Sequence, residues 1–304
     1  MDFTRFSHLT FDCYGTLIDW ETGILGALIP VLKQHGVDTG EADILRLYAR
    51  FEAEQETGAY KPYKKVLEGV LEGIGGELGF KPTEEELSKF SSSVGSWPPF
   101  PDTIEALKWL QQRYRLVIVS NVDDDLFAQT QELLGIKFDE IITAQQVGAY
   151  KPSKSMFETA LQRLNVPRER ILHVAQSLYH DHAPAIEMGF STVWVNRASI
   201  LPGTGLTIPT NASPSLKVDS LASLCSQIYK EHNKLHRKYR VSKTVRFMVA
   251  AVLFSFVTYS IEKVLSVYGW NWSLTWLASI ALSLSLLAIA WALMEMFLPS
   301  AQIK

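Results

Sequence analysis

The chain has 304 residues, 47% of them hydrophobic and 20% charged, which excludes a disordered or collagen-like polymer and allows one large domain or two ordinary ones. Cys13 and Cys225 are its only cysteines, so a disulfide scaffold is excluded and a reducing compartment expected. The formal charge of −3 hides an asymmetry: nine Lys and Arg face three acids from Lys230 onward, against 20 and 29 before it, and so acidic a body is a poor nucleic-acid binder.

The first apolar run, His8–Phe11, ends in Asp12-Cys13-Tyr14-Gly15-Thr16, a strand followed by a tight turn. The preceding residues carry no charged-then-apolar leader, so a secretory signal is not expected. From Glu21 to about Ser96 the pattern is helical, with Ile24, Leu25, Leu28, Ile29 and Leu32 at helix spacing and Thr83 with Glu86 resembling a capping box. Trp97-Pro98-Pro99-Phe100-Pro101 breaks the run. Beyond it, helix Thr103–Arg113 leads to strand Leu116–Val119, and helix Leu126–Leu134 leads to strand Glu140–Thr143. Helix Lys154–Leu164 precedes strand Ile171–Val174, and helix Ala183–Met188 precedes strand Ser191–Val195. Strands alternating with helices imply a parallel sheet covered on both faces. Residues 1–19 and 98–225 therefore read as one α/β domain, with 20–97 a helical insertion after its first strand.

The tail has a different texture. Phe247–Ile261 is 15 residues without a charge, and 31 more separate Lys263 from Glu295. A bilayer core needs about 20 apolar residues in a helix. The second stretch meets that length, and the first meets it if Arg246 and Lys263 snorkel. Residues 247–298 thus read as one or two transmembrane helices, with Tyr259, Tyr268, Trp270 and Trp272 as an aromatic belt. The linker 226–246 carries Lys230, Lys234, Arg237, Lys238, Arg240, Lys243 and Arg246, a basic approach expected to stay cytoplasmic. The expected location is a membrane, with lipid as a partner and the α/β body facing the cytosol. Ser279, Ser283 and Ser285 permit close helix packing, and with it a homodimer.

In an open parallel sheet, ligands bind beyond the carboxyl ends of the strands. Those ends deliver Asp12, Tyr14 and Thr16, then Ser120 and Asn121, then Lys151 on a turn, then Gln176, Ser177, His180 and Asp181. Such a set suits covalent catalysis by a carboxylate. Asp123-Asp124-Asp125 reads as dipole compensation at a helix start, and His173, His180 and His182 lack a metal-ligand spacing, so no metal site is expected.

The segments FDCYGTLID (Phe11–Asp19), VIVSN (Val117–Asn121), AYKPSKSMF (Ala149–Phe157) and HVAQSLYHD (His173–Asp181) resemble the four ordered motifs of the haloacid dehalogenase superfamily. The resemblance implies a Rossmann-like doubly wound sheet with the insertion as a cap, to which the apolar tail read above adds an expected C-terminal transmembrane helical hairpin. Phosphatases of that superfamily use magnesium and a second acid two residues after the nucleophile, which protonates the leaving alkoxide. Here Tyr14 stands at that position, and the amide Gln176 replaces a magnesium-side carboxylate. Halide leaves without a proton, so the pattern resembles the type II (S)-2-haloacid dehalogenases. Their chemistry implies a small carboxylic-acid substrate and no cofactor.

By that resemblance Asp12 is the nucleophile and Lys151 keeps it ionised. Asp181, helped by Ser177 or Gln176, activates water. Tyr14, Thr16, Ser120 and Asn121 hold substrate, and Arg50 from the cap receives halide, with Arg46 as the fallback. The alternatives are a magnesium-dependent phosphatase and a non-catalytic membrane-anchored interaction protein on the same fold.

Overall fold

His8–Phe11 form β1, buried along its whole length, as a strand flanked on both edges and covered on both faces must be. The computed structural model describes residues 1–199 and 210–234, with single positions at 248, 252, 259 and 263. After β1 the chain runs through α1 (Trp20–Gln34), α2 (Glu41–Gln55), α3 (Tyr63–Leu78) and α4 (Glu84–Ser92). It returns to the sheet through α5 (Thr103–Leu110) and β2 (Arg115–Ser120). Then follow α6 (Asp124–Leu134), β3 (Glu140–Thr143), α7 (Ala144–Val147), α8 (Ser155–Leu164), β4 (Ile171–Ala175), α9 (Ala183–Glu187), β5 (Ser191–Val195) and β6 (Leu216–Val218). The expected strands and helices form within a few residues of their expected bounds. β6 was not expected: at three residues beside a Pro- and Ser-rich stretch, it is too short to show a period.

All six strands are parallel, in the order β3-β2-β1-β4-β5-β6, a doubly wound Rossmann-like sheet. The order reverses between β1 and β4, which opens a crevice at their carboxyl ends. Phe11 lies opposite both Ile118 and Val174, so the residues just past β1, β2 and β4 emerge at one level. Helix 221–234 closes the unit by burying Leu221, Leu224 and Ile228. Met1–His232 form one compact unit. Among the described residues no helix is long and apolar enough to cross a membrane. Most of the basic linker 226–246 and of the two tail stretches, including Ser279, Ser283 and Ser285, lies outside the described residues.

The turn after β1 is tightly wound. The Cys13 carbonyl accepts from the N–H groups of Thr16, Leu17 and Ile18 at 3.2, 2.7 and 3.1 Å. Gly15 sits at φ +86, where a Cβ would also crowd the Trp20 indole at 3.2 Å. The insertion leaves and re-enters the sheet at one place. The Asp19 N–H donates to Pro98 O at 2.8 Å, and the Phe100 N–H donates to Leu17 O at 3.1 Å. Within the insertion, Thr83 and Glu86 form the expected capping box.

Asp123 differs from expectation. Asp124 and Asp125 do lie in the first turn of α6, but Asp123 turns its carboxylate toward a different helix. Its Oδ1 and Oδ2 accept from the N–H groups of Tyr63 and Lys64 at 2.9 and 3.0 Å, capping the start of α3. A buried carboxylate there answers two open N–H groups and the positive helix end together. It also ties the insertion to the sheet's edge. Asp123→Ala leaves both groups unpaired, with an expected loss of about 1–3 kcal/mol in urea unfolding. An unchanged midpoint would show that the bond contributes nothing.

Candidate active site

The crevice past β1 and β4 is a pocket with Asp12, Lys151, Asp181 and Ser120 on its sheet side. Lys151, 1% exposed, spends all three of its ammonium protons. Nζ donates to Asp12 Oδ1 at 2.8 Å, to Asp181 Oδ1 at 2.7 Å and to the Val119 carbonyl at 2.9 Å. Asp12 Oδ2 accepts from Thr16 Oγ1 at 2.6 Å, and Thr16 Oγ1 in turn accepts the Gln176 N–H at 2.9 Å. Asp181 Oδ1 also accepts from His173 Nε2 at 3.0 Å, and His173 Nδ1 lies 2.9 Å from Thr10 Oγ1. One polar chain therefore runs from the turn after β1 through Lys151 and Asp181 into the sheet.

Charge is distributed unevenly along this chain. Burial raises the Asp12 pKa above the ordinary carboxylate value, and Lys151 opposes it. The expected pull of Lys151 exists, but loss of water outweighs it. Burial works on Asp181 too, yet Lys151 and the His173 hydrogen bond overcome it and hold this carboxyl below the usual range. For Lys151 the burial penalty is exceeded by the two carboxylates, so its pKa lies above that of an ordinary lysine. Burial lowers the His180 pKa to about 4, which leaves a neutral ring in the pocket near pH 7.

Asp12, Tyr14, Ser120, Asn121, Lys151, Gln176, Ser177 and Asp181 all line the one pocket. Thr16 stands behind Asp12. Several have structural tasks as well. Asn121 accepts the Lys151 N–H at 2.7 Å and donates to the Lys151 carbonyl at 3.1 Å, so it fixes the lysine's backbone. Ser177 accepts the His180 N–H at 3.0 Å and caps the single wide turn, Leu178–His182, that carries Asp181. The Tyr14 hydroxyl is paired with Thr130 Oγ1 at 2.9 Å.

Arg50 is not in the pocket. It is exposed, pairs with Glu77 at 2.7 Å and stacks on Phe51. Arg46 is exposed as well and pairs with Asp43. Helix phase explains both: α2 buries Ile44, Leu45 and Tyr48, and two residues rotate a helix by about 200°, so Arg46 and Arg50 point away from Tyr48. On the Tyr48 side, four and eight residues on, stand Glu52 and Glu56, and both line the pocket with Trp20 and Tyr63. None of these four was singled out from the sequence, although the four-residue spacing from an apolar-face tyrosine carries the signal. Arg197 was missed too. It donates to the Thr16 carbonyl at 2.9 Å and pairs with Asp102 at 2.7 Å, which pins the nucleophile turn from behind.

Magnesium needs about six oxygen ligands in octahedral array. The donors present do not fit it. Position 14 is a tyrosine bonded elsewhere, position 176 an amide, and Asp181 Oδ1 is taken by Lys151 and His173. Among the described residues no three His, Cys, Asp or Glu side chains are grouped to hold a metal ion.

A parallel doubly wound sheet with a helical insertion above such a pocket defines a broad structural class. Within it, a family model described as haloacid dehalogenase-like hydrolase matches residues 6–187, and the chain belongs to that family. It is 26% identical over 224 residues to an (S)-2-haloacid dehalogenase of Pseudomonas putida, covering 71% of this chain and 93% of the relative. It is 28% identical over 240 residues to the 5-amino-6-(5-phospho-D-ribitylamino)uracil phosphatase of Escherichia coli (strain K12), covering 74% and 97%. The structure of L-2-haloacid dehalogenase from Xanthobacter autotrophicus with chloropropionic acid covalently bound matches at a TM-score of 0.63 and 22% identity, over 74% of this chain and 98% of that one. At that identity the likeness is one of fold.

On the reading of Asp12 as a nucleophile it must be ionised to attack, so the rate should fall as pH drops through a pKa above that of an ordinary aspartate. Lys151→Met removes the shared ammonium and lets both carboxyls rise. A pH–rate profile should show at least about a 100-fold drop at neutral pH, with the acid limb of the residual rate moved upward. A limb at its wild-type position would separate Lys151 from the ionisation of Asp12.

Proposed function

We propose that the chain is a hydrolase of the 2-haloacid dehalogenase type. The carrying observation is a buried aspartate at a strand end, charged against Lys151, with no acid two residues on. Asp12 attacks the α-carbon and forms a C–O bond as the carbon–halogen bond breaks and halide leaves with the electron pair. Each Asp12 oxygen already accepts one hydrogen bond, which leaves a second lone-pair direction for the attack. Water then adds to the ester carbonyl of Asp12. The ester C–O bond breaks, the 2-hydroxy acid departs with one of the water's protons, and the second proton is released. Asp181, held ionised, orients that water with Ser177 and Gln176, while Thr16, Ser120, Asn121 and Tyr14 hold the reacting groups. The sequence needs no cofactor.

Phosphate-ester hydrolysis is the second reading, supported by the Escherichia coli relative, which is a phosphatase. Against it, the Tyr14 hydroxyl is paired with Thr130, and burial pushes that phenol well above its ordinary pKa, which makes it a poor acid for the leaving alkoxide.

Chloride release from (S)-2-chloropropionate in EDTA tests the first reading. Wild type should release chloride, and Asp12→Asn should lose at least about 1,000-fold in rate. Turnover of phosphate esters that appears only with magnesium, and no chloride, would favour the second.

We propose further that the tail anchors the protein, with its body on the cytosolic side, as its two apolar stretches and basic approach support. In vesicle flotation the full chain should rise with lipid and a chain ending at His232 should not. A shared fate of the two would refute the anchor.

A further inference from the structure

Two side chains of the pocket wall have no part in the displacement by Asp12. Glu52 belongs to α2, and Glu56 caps that helix one turn later. Glu52 Oε1 accepts from the Tyr48 hydroxyl at 2.8 Å and from the Tyr63 hydroxyl at 2.6 Å, so two buried phenols fix its position. Both glutamates share the pocket with Asp12 and Asp181. Lys151 is the one Lys or Arg of that lining, and its three protons are already committed to Asp12, Asp181 and Val119. The insertion thus presents carboxylates where a haloacid-binding cap would need a cation.

A second observation comes from the sheet side. Ser120 Oγ is fully buried, lines the same pocket and has no hydrogen-bond partner. An unpaired buried hydroxyl is unfavourable unless a ligand answers it. The pocket therefore offers a polar contact at the sheet and a carboxylate pair on the insertion.

We propose that Glu52 and Glu56 select a substrate bearing an ammonium group beside its reacting carbon, an amino-substituted 2-haloacid, over a simple 2-haloalkanoate. This rests on the covalent reading of Asp12. The acid end of the substrate meets the Ser120 hydroxyl, and its ammonium supplies the glutamate pair with a counter-charge. A simple haloalkanoate brings a second negative group and nothing for the pair. Burial and Glu52 push the Glu56 carboxyl well above its ordinary value and Lys151 opposes them, so a ligand ammonium beside it is what favours its ionised form.

The experiment uses the full chain with two probes, (S)-2-chloropropionate and 3-amino-2-chloropropionate, and follows chloride. Wild type should favour the amino compound by at least about 10-fold in kcat/KM, and Glu56→Gln should narrow that to within about 2-fold, chiefly through KM. Glu56 is the deciding position because Glu52 is tied to two phenols and its replacement disturbs them. Equal use of both probes by wild type, or a preference that Glu56→Gln leaves intact, overturns the proposal. Calorimetric binding of both probes to Asp12→Asn, with and without Glu56→Gln, separates the two ideas. If no chloride appears from either probe, the covalent reading fails. Tighter binding of the amino compound that Glu56→Gln removes then keeps the charge selection, and equal binding of the two ends it.

Discussion

One buried ammonium organises the site. Lys151 lies in a place where a lone charge would be prohibitively unfavourable, and it is tolerated because three acceptors meet its three protons. The dependence runs in both directions, since Asp12 and Asp181 could not both stay ionised so close together without it. The three acceptors come from the end of β1, the end of β2 and the turn after β4. The parallel register brings those ends to one level, so the fold and the ion trio support one another. Beneath Asp181, Thr10 and His173 face each other across β1 and β4 and extend the polar chain into an otherwise apolar sheet.

Much of this was legible in the residues. Apolar runs such as Leu116–Val119, and Ile171–Val174 with His173 as its one polar member, identify strands buried on both faces, and the residues that follow them identify the site. Asp12, Ser120, Asn121, Lys151 and Asp181 come together because each sits within a few residues of a strand end or an adjoining turn, a local property that spacing reveals. What spacing left hidden is tertiary. Asp123 looks like a cap for its own helix, yet its carboxylate serves α3, about 60 positions away in the chain. Arg197 follows β5 and holds the carbonyl of Thr16, and no local pattern links the two. Ser177 resembled a water-positioning residue, and its first task is to shape the turn that carries Asp181.

The misplacement of Arg50 is instructive because its helix was found correctly. An arginine in the right segment is not an arginine in the pocket: helix phase assigns faces, and Tyr48 marks the buried one. Reading outward from Tyr48 in steps of four gives Glu52 and Glu56, whereas Arg46 and Arg50 belong to the opposite side. A shift of two residues along α2 exchanges a basic side chain for an acidic one at the pocket wall.

The ion trio and the pocket wall above it thus rest on separate elements. Asp12, Lys151 and Asp181 are fixed by the sheet, whose register leaves them little freedom. The wall above them is set by the phase of α2 and by how the insertion is held against the sheet. Asp123 holds one end through the start of α3. Tyr150, next to Lys151 in sequence, donates to the Lys61 carbonyl at 2.8 Å and packs against Tyr60 and Tyr63. Tyr63 in turn orients Glu52. The path from Lys151 to Glu52 therefore runs through Tyr150 and Tyr63. The likeness between this chain and the dehalogenases takes in the insertion as well as the sheet motifs. The wall that faces Asp12 is formed in part by Glu52 and Glu56, from α2 and its C-terminal cap, and not by Arg46 or Arg50.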